Sequence, residues 1–387
     1  MASLGGGSAW AQSEAASVKL GNGINFTPTL SVDLAQDDNV TLSETDKVES
    51  LVAKVRPNFL LTAEDGVSAY SVSYALAKGE YFDSKDDNYL DHFLDGDAFW
   101  ELNFRHRLAL HGSYTNGHDA RGSGFSLGRG DLLDEPDRYH SSDFGAVYSY
   151  GAESAKGQID IELGTADLDY AGGVRTRERD RGTGYGGITF NYNAGGKTKV
   201  LAEITRREVT YDYTAMDAES LDSAEMNYRA GVTWEGTAQT TGRVKVGLRT
   251  KDFDSSTRDD FSGAGWEAGV RWVPLTYSAF DFSTARRSRE SWGDGDFIDV
   301  QNYAVTWHHS WAERFSTQLT FDHELNDYRG VETDREETVN SSQLRMSYQM
   351  QRWLSFSAGV SLSDQDSTRE GFDYEKNLTF IGIQASL

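Results

Sequence analysis

In GRVKVGLRTK, Gly242 to Lys251, the cations Arg243, Lys245, Arg249 and Lys251 alternate with Val244, Val246 and Leu248. An extended chain sends successive side chains to opposite faces, so this stretch has a basic face and an apolar one. By the same alternation Lys54, Arg56, Arg105, Arg107, Arg229, Arg243, Lys245, Arg249, Arg271, Arg287, Arg289 and Arg345 fall on charged strand faces. Spread along a wall, such groups attract anions through weak contacts and raise their local concentration. Carboxylates give the same cations a second role. Glu101, Glu203, Glu235, Glu267, Asp281 and Asp322 would turn them into a ladder of structural ion pairs. Bond-breaking chemistry needs more, a nucleophile or activated water beside histidine and carboxylate. The adjacent His308 and His309 face opposite ways, His111 falls on a charged face, and His118 and His140 lie near loops. No G-x-S-x-G or H-E-x-x-H motif occurs, so the chain reads as a non-enzyme. Cysteine is absent, and DSKDDN at Asp83 to Asn88 lacks the glycine and spacing of a calcium loop. No metal or cofactor is expected.

The elements that carry these faces are strands. Tyr228, Ala230, Val232 and Trp234 alternate with Arg229, Gly231, Thr233 and Glu235, and Trp266, Ala268, Val270 and Trp272 with Glu267, Gly269 and Arg271. Leu354, Phe356, Ala358, Val360 and Leu362 alternate with Ser355, Ser357, Gly359, Ser361 and Ser363. Only 38% of residues are hydrophobic and the mean hydropathy is -0.58, yet a membrane barrel needs apolar residues only at every second position. No run of about 18 apolar residues exists to form a membrane helix. Aromatic residues make up 12% of the chain, which suits the interfacial girdles of such a barrel.

Short turns are expected near Ala63–Gly66, Arg105–Leu108, Ala152–Lys156, Ala194–Lys197, Glu235–Gln239, Pro274–Thr276, Ala312–Arg314 and Met350–Arg352. Long polar loops alternate with them, near residues 38–47, 83–91, 116–138, 171–181, 213–222, 254–260, 290–296, 328–336 and 366–372. That asymmetry predicts an all-β fold, an antiparallel outer-membrane barrel of about 18 strands (16 as the alternative), with both termini periplasmic and the long loops outside. The net charge of -24 is then concentrated in the loops, where Asp83, Asp86, Asp87, Asp131, Asp134 and Glu135 crowd together beside lipopolysaccharide. A charge facing lipid at mid-depth costs about 2–4 kcal/mol, so the cationic faces must line the lumen. Residues 1–11, with Ala9-Trp10-Ala11, read as a signal-peptide end or tail, 12–24 as a periplasmic segment and 25–387 as one barrel. The last strand puts Thr379, Ile381, Ile383, Ala385 and Leu387 on one face.

A barrel of this size leaves an aqueous channel unless something fills it. The glycine-rich segment Asn116–Arg138 is long enough to fold inward as a constriction, and Phe99 is a candidate sugar-stacking surface. TPTLSVDLAQDDNV (Thr27 to Val40), VRPNFLL (Val55 to Leu61), GEYFDSKDDNYLDH (Gly79 to His92), HDARG (His118 to Gly122) and the terminal IGIQASL resemble the putative β-barrel porin 2 family. That resemblance implies export of an exopolysaccharide or capsular polysaccharide through the outer membrane, with a periplasmic polysaccharide export protein as partner and no nucleic acid. The cationic faces favour an anionic polymer. The same residues equally fit a diffusion porin for small anions or sugars.

Overall fold

The computed structural model describes residues 17–386 except 22, 217, 236–238, 292–293 and 331–333. The expected signal-peptide end, the mature start near Gln12 and Leu387 lie outside the described residues. A short β1 (Val18–Gly21) precedes β2 (Ile24–Asp37), β3 (Ser50–Asp65), β4 (Ser68–Tyr81), β5 (Tyr89–Asn103), β6 (His106–Asp119) and β7 (Asp137–Tyr150). Then come β8 (Gly157–Tyr170), β9 (Arg181–Gly195), β10 (Thr198–Tyr211), β11 (Ser223–Trp234), β12 (Thr240–Phe253) and β13 (Phe261–Leu275). The circuit ends with β14 (Ser278–Glu290), β15 (Phe297–Ala312), β16 (Phe315–Arg329), β17 (Arg335–Gln351), β18 (Leu354–Ser367) and β19 (Tyr374–Ser386).

Each strand from β2 onward pairs antiparallel with the next, and β19 pairs with β2, which closes an 18-strand barrel. Closure satisfies the backbone groups that an open sheet edge would leave bare in lipid. The β19–β2 ladder stops at Ser386 opposite Thr29, and β1 folds back on the freed edge of β2 at Asn25 and Phe26. All eight short turns and all nine long loops fall where the polar and glycine-rich segments put them, to within a few residues. At one tight turn Gly196 and Lys197 have φ of 58° and 64°, the pair of left-handed residues that a type I′ hairpin needs.

Register then separates the faces. Val244, Val246 and Leu248 point outward, level with Val232, Ala230 and Tyr228 on β11 and with Ala268, Trp266 and Ala264 on β13. Leu30, Val32 and Leu34 on β2 and Ile381 and Ile383 on β19 continue that exposed apolar band. Near the short turns Trp100, Trp234, Trp272, Trp307 and Trp311 stand on the same outer face, an aromatic girdle at one rim. Asp33, Lys54 and Arg56 face the other way, into the lumen.

Candidate functional site

The functional surface of a barrel is its inner wall. Lys54, Arg56, Arg107, Arg229, Arg243, Lys245, Arg249, Arg271, Arg287, Arg289 and Arg345 all occupy lumen positions of their strands by register. Arg105 does not. Strand β5 ends at Asn103, whose side chain accepts the Arg105 N–H at 3.0 Å, so Arg105 sits in the turn with its cation 5.0 Å above the Phe104 ring. Glu235 likewise belongs to a turn, its N–H donating to the Lys197 carbonyl.

Much of the cationic face is neutralised. Glu203 takes Lys245 at 2.6 Å and Arg229 at 3.4 Å, while Glu267 takes Arg243 at 2.5 Å and Arg229 at 3.9 Å. Asp281 bridges Arg271 at 3.0 Å and His308 at 3.1 Å, and Arg289 reaches Glu324 at 3.0 Å. Asp322 accepts instead from the Asn302 amide at 2.9 Å. His309 turns outward onto Trp311, so the two adjacent histidines do occupy opposite faces. Lys54, Arg107, Arg207, Arg287 and Arg345 are among the lumen cations with no carboxylate within ion-pair distance among the described residues, Arg107 donating instead to the Gly151 carbonyl at 2.9 Å. Arg207 was outside the twelve cations selected by alternation. The Arg206–Arg207 pair held the signal, since one of two adjacent residues on a strand must face the lumen.

The opposite side of the ring is acidic. Asp95, Asp97 and Glu101 on β5, Asp143 on β7, and Asp160 and Glu162 on β8 all face inward. Half a circuit away, on β14 to β17, Arg287, Arg289 and Arg345 are interleaved with Asp281, Asp322 and Glu324. One wall of the lumen is therefore acidic and the facing one mixed in charge, and a field runs across it. On the acidic wall Tyr185 lies over Gly164 and Gly145 and donates to Asp143 at 3.0 Å. A Cβ at residue 164 would come within 2.2 Å of that ring, so glycine is what lets the tyrosine lie flat. Phe99 also faces the lumen, opposite Ala69 and Ala109.

Toward the long-loop end the bore is obstructed from two sides. The β13–β14 ladder stops at Trp266 opposite Arg286, and beyond it the β14–β15 hairpin turns into the lumen across the inner faces of β10 to β13. Its former outer face packs there, with Glu290, Phe297 and Asp299 buried. Glu290 bonds Lys251 at 2.7 Å and the Tyr211 hydroxyl at 2.8 Å, Asp299 pairs with Arg249 and Arg286, and Phe297 meets Phe261 edge-on at 5.0 Å. Gly263 and Gly265 keep the inner face of β13 low enough to admit it. The readable sign of this departure was RRSRE, Arg286 to Glu290, in which both faces are polar and no register leaves an apolar face for lipid.

The segment between β6 and β7 comes from the other side. Arg121 grips Asp87 through two nitrogens and donates to the Leu133 carbonyl at 2.8 Å. That carboxylate bond raises the Arg121 pKa above its usual value. Gly122 and Gly130 lie against the Thr41 carbonyl of the β2–β3 loop, and Gly128 lies against Phe372 of the β18–β19 loop. Arg335 stacks on both Phe372 and Tyr328 and pairs at 2.6 Å with Asp294 of the β14–β15 loop, so contacts run across the mouth between the two obstructions.

The family model described as Putative beta-barrel porin 2 matches residues 14–387. The chain belongs to that family. It is a porin-like β-barrel channel of the outer membrane rather than an enzyme. No curated protein matches it. Among solved structures the siderophore receptor PiuA from Acinetobacter baumannii aligns at 10% identity and a TM-score of 0.50, over 96% of this chain and 78% of that one. OccAB4 from the same organism aligns at 12% and 0.49, over 97% and 100% of the two chains. Pseudomonas aeruginosa OpdK with vanillate aligns at 10% and 0.48, over 94% and 99%. At these identities the likeness is one of fold.

Proposed function

We propose that this family member is a diffusion channel for small hydrophilic solutes, with its long loops outside the cell and its termini in the periplasm. One observation carries the reading: a water-exposed lumen, acidic on one wall and mixed in charge on the facing one, narrows beneath a bridged mouth. A transverse field orients dipolar solutes, and serine, threonine and glutamine side chains exchange hydrogen bonds with their hydroxyl groups. Such contacts are weak enough to release. The polymer-export reading asks for more of the same wall. A long anionic chain with its export protein would require the β14–β15 hairpin and the β6–β7 segment to move aside together, against buried ion pairs that hold the hairpin.

The test is swelling of liposomes that contain the purified barrel, in sugars of increasing size, with the reversal potential measured in a potassium chloride gradient. Entry of mono- and disaccharides with exclusion of long oligosaccharides is expected. A barrel closed to monosaccharides, or one that passes long acidic oligosaccharides as readily, would overturn the reading.

A further inference from the structure

Just inside the short-turn rim, β2 and β3 meet β15 to β19 around a lumen pocket of about 260 Å³. Its wall has an unusual composition. Ser355 and Ser357 line it from the inner face of β18, and beyond Gly359 the row continues up the lumen with Ser361 and Ser363. Serine buries almost no apolar area and makes no ion pair, so neither packing nor charge balance accounts for the row.

Arg345 stands at the centre. It lies opposite Gly359, which lies opposite Phe380, so the three form one line across β17, β18 and β19. A Cβ at residue 359 would come within 2.1 Å of the Leu344 carbonyl and 2.6 Å of the Phe380 ring, and its absence lets the ring lie over the strand toward Arg345. The guanidinium is 4.5 Å from the ring centre and donates to the Ser357 hydroxyl at 3.1 Å. It is thus held in place by a π face and a hydroxyl, with no carboxylate in ion-pair range among the described residues. Arg56, paired with Asp33 and half exposed, lines the same pocket, as do Asp33 itself, His308, Gln318, Gln384 and Ser347.

We propose that this pocket binds a small polyhydroxylated carboxylate, one sugar-acid unit, with Arg345 taking the carboxylate and the serine and glutamine side chains taking the hydroxyls. Asp33 on the same wall is taken by Arg56, and an arginine that makes no ion pair of its own matches a carboxylate through two parallel hydrogen bonds. Ligand sites run from roughly 300 to 1,000 Å³, so a cavity just below that range holds one ring rather than a chain. The proposal rests on the lumen being a solute pathway, whose substrate class it names.

Equilibrium dialysis of glucuronate against the detergent-solubilised full chain tests it without requiring conductance. Saturable binding is expected, at least tenfold tighter than glucose or acetate and weakened at least tenfold in Arg345→Gln, while Lys78→Gln on the outer wall binds like the parent. Where Arg345→Gln loses the folded barrel's heat-dependent gel mobility, Gln384→Leu serves as the second variant, with a smaller loss expected. Stronger binding of the monomer than of a glucuronate hexasaccharide identifies a free solute, and the reverse identifies a unit of a polymer. Glucuronate bound no better than glucose and acetate, or equally by parent and folded variants, would overturn the site. Binding retained by a barrel that fails the swelling test would instead refute the diffusion reading and leave the site standing.

Discussion

Replacing Lys251 with Met should release the inward hairpin. The Lys251 ammonium and Glu290 carboxylate are 1% and 5% exposed and 2.7 Å apart, with the Phe253 and Phe297 rings beside the ammonium. Without the lysine, Glu290 stays buried with the Tyr211 hydroxyl at 2.8 Å as its direct hydrogen-bond partner. Removing one member of a buried pair costs about 3–5 kcal/mol, chiefly because the other is left as an uncompensated charge. The barrel need not unfold to relieve it, since the lower β13–β14 ladder and the full β14–β15 ladder do not depend on this contact. Hairpin undocking is the cheaper relief, and at about 1.4 kcal/mol per decade its equilibrium shifts by roughly two to nearly four powers of ten. Single-channel recording should therefore show larger and noisier open currents in Lys251→Met. The double variant Lys251→Met, Glu290→Leu removes both charges and should return most of the way to quiet parental currents. A Lys251→Met channel as quiet and as narrow as the parent, or a double variant noisier than the single, would refute the docking argument.

Three further outcomes follow from the lumen and its loops. Neutralising Arg287 and Arg345 to Gln should move the reversal potential in a potassium chloride gradient toward cations with unchanged barrel mobility; neutralising Arg243 and Lys245 should do so while also lowering the barrel's melting temperature, because Glu203 and Glu267 lose partly buried partners. Burial raises the Asp296 carboxyl above its ordinary 3.8 against the pull of Arg258, with which it ties two long loops together. A raised pKa in the docked state means that protonation favours docking, so as pH falls from the raised value toward the ordinary one the loops tighten. Conductance should drop over that window in the parent and less in Asp296→Asn. Gly359→Val should drive its side chain into the Leu344 carbonyl and the Phe380 ring, parting β17 from β18 locally and unseating Arg345, so that glucuronate binding by dialysis weakens and the barrel's melting temperature falls.

The outer wall was legible because lipid tolerates one kind of residue: Val244, Val246 and Leu248 could face nowhere else, and Arg243, Lys245 and Arg249 followed by parity. The turns were legible for a similar reason, since Gly66 and Gly196 adopt left-handed conformations that few residues share. Inside, the same cations had several carboxylates within possible reach, and alternation identifies a shared face but not a diagonal. Lys245 reaches Glu203 two strands away, across β11, and only the register of both ladders selects that partner. The Arg105 assignment failed because periodicity does not announce where a strand stops, and β5 stops two residues earlier. The β14–β15 hairpin is the more instructive case. Strict alternation assigned Arg287 and Arg289 to the lumen and left Arg286, Ser288 and Glu290 to lipid, a face that the bilayer would not accept. The contradiction was physical information: a strand whose two faces are both polar has left the wall. In a barrel of this width the place where that happens is where the bore narrows.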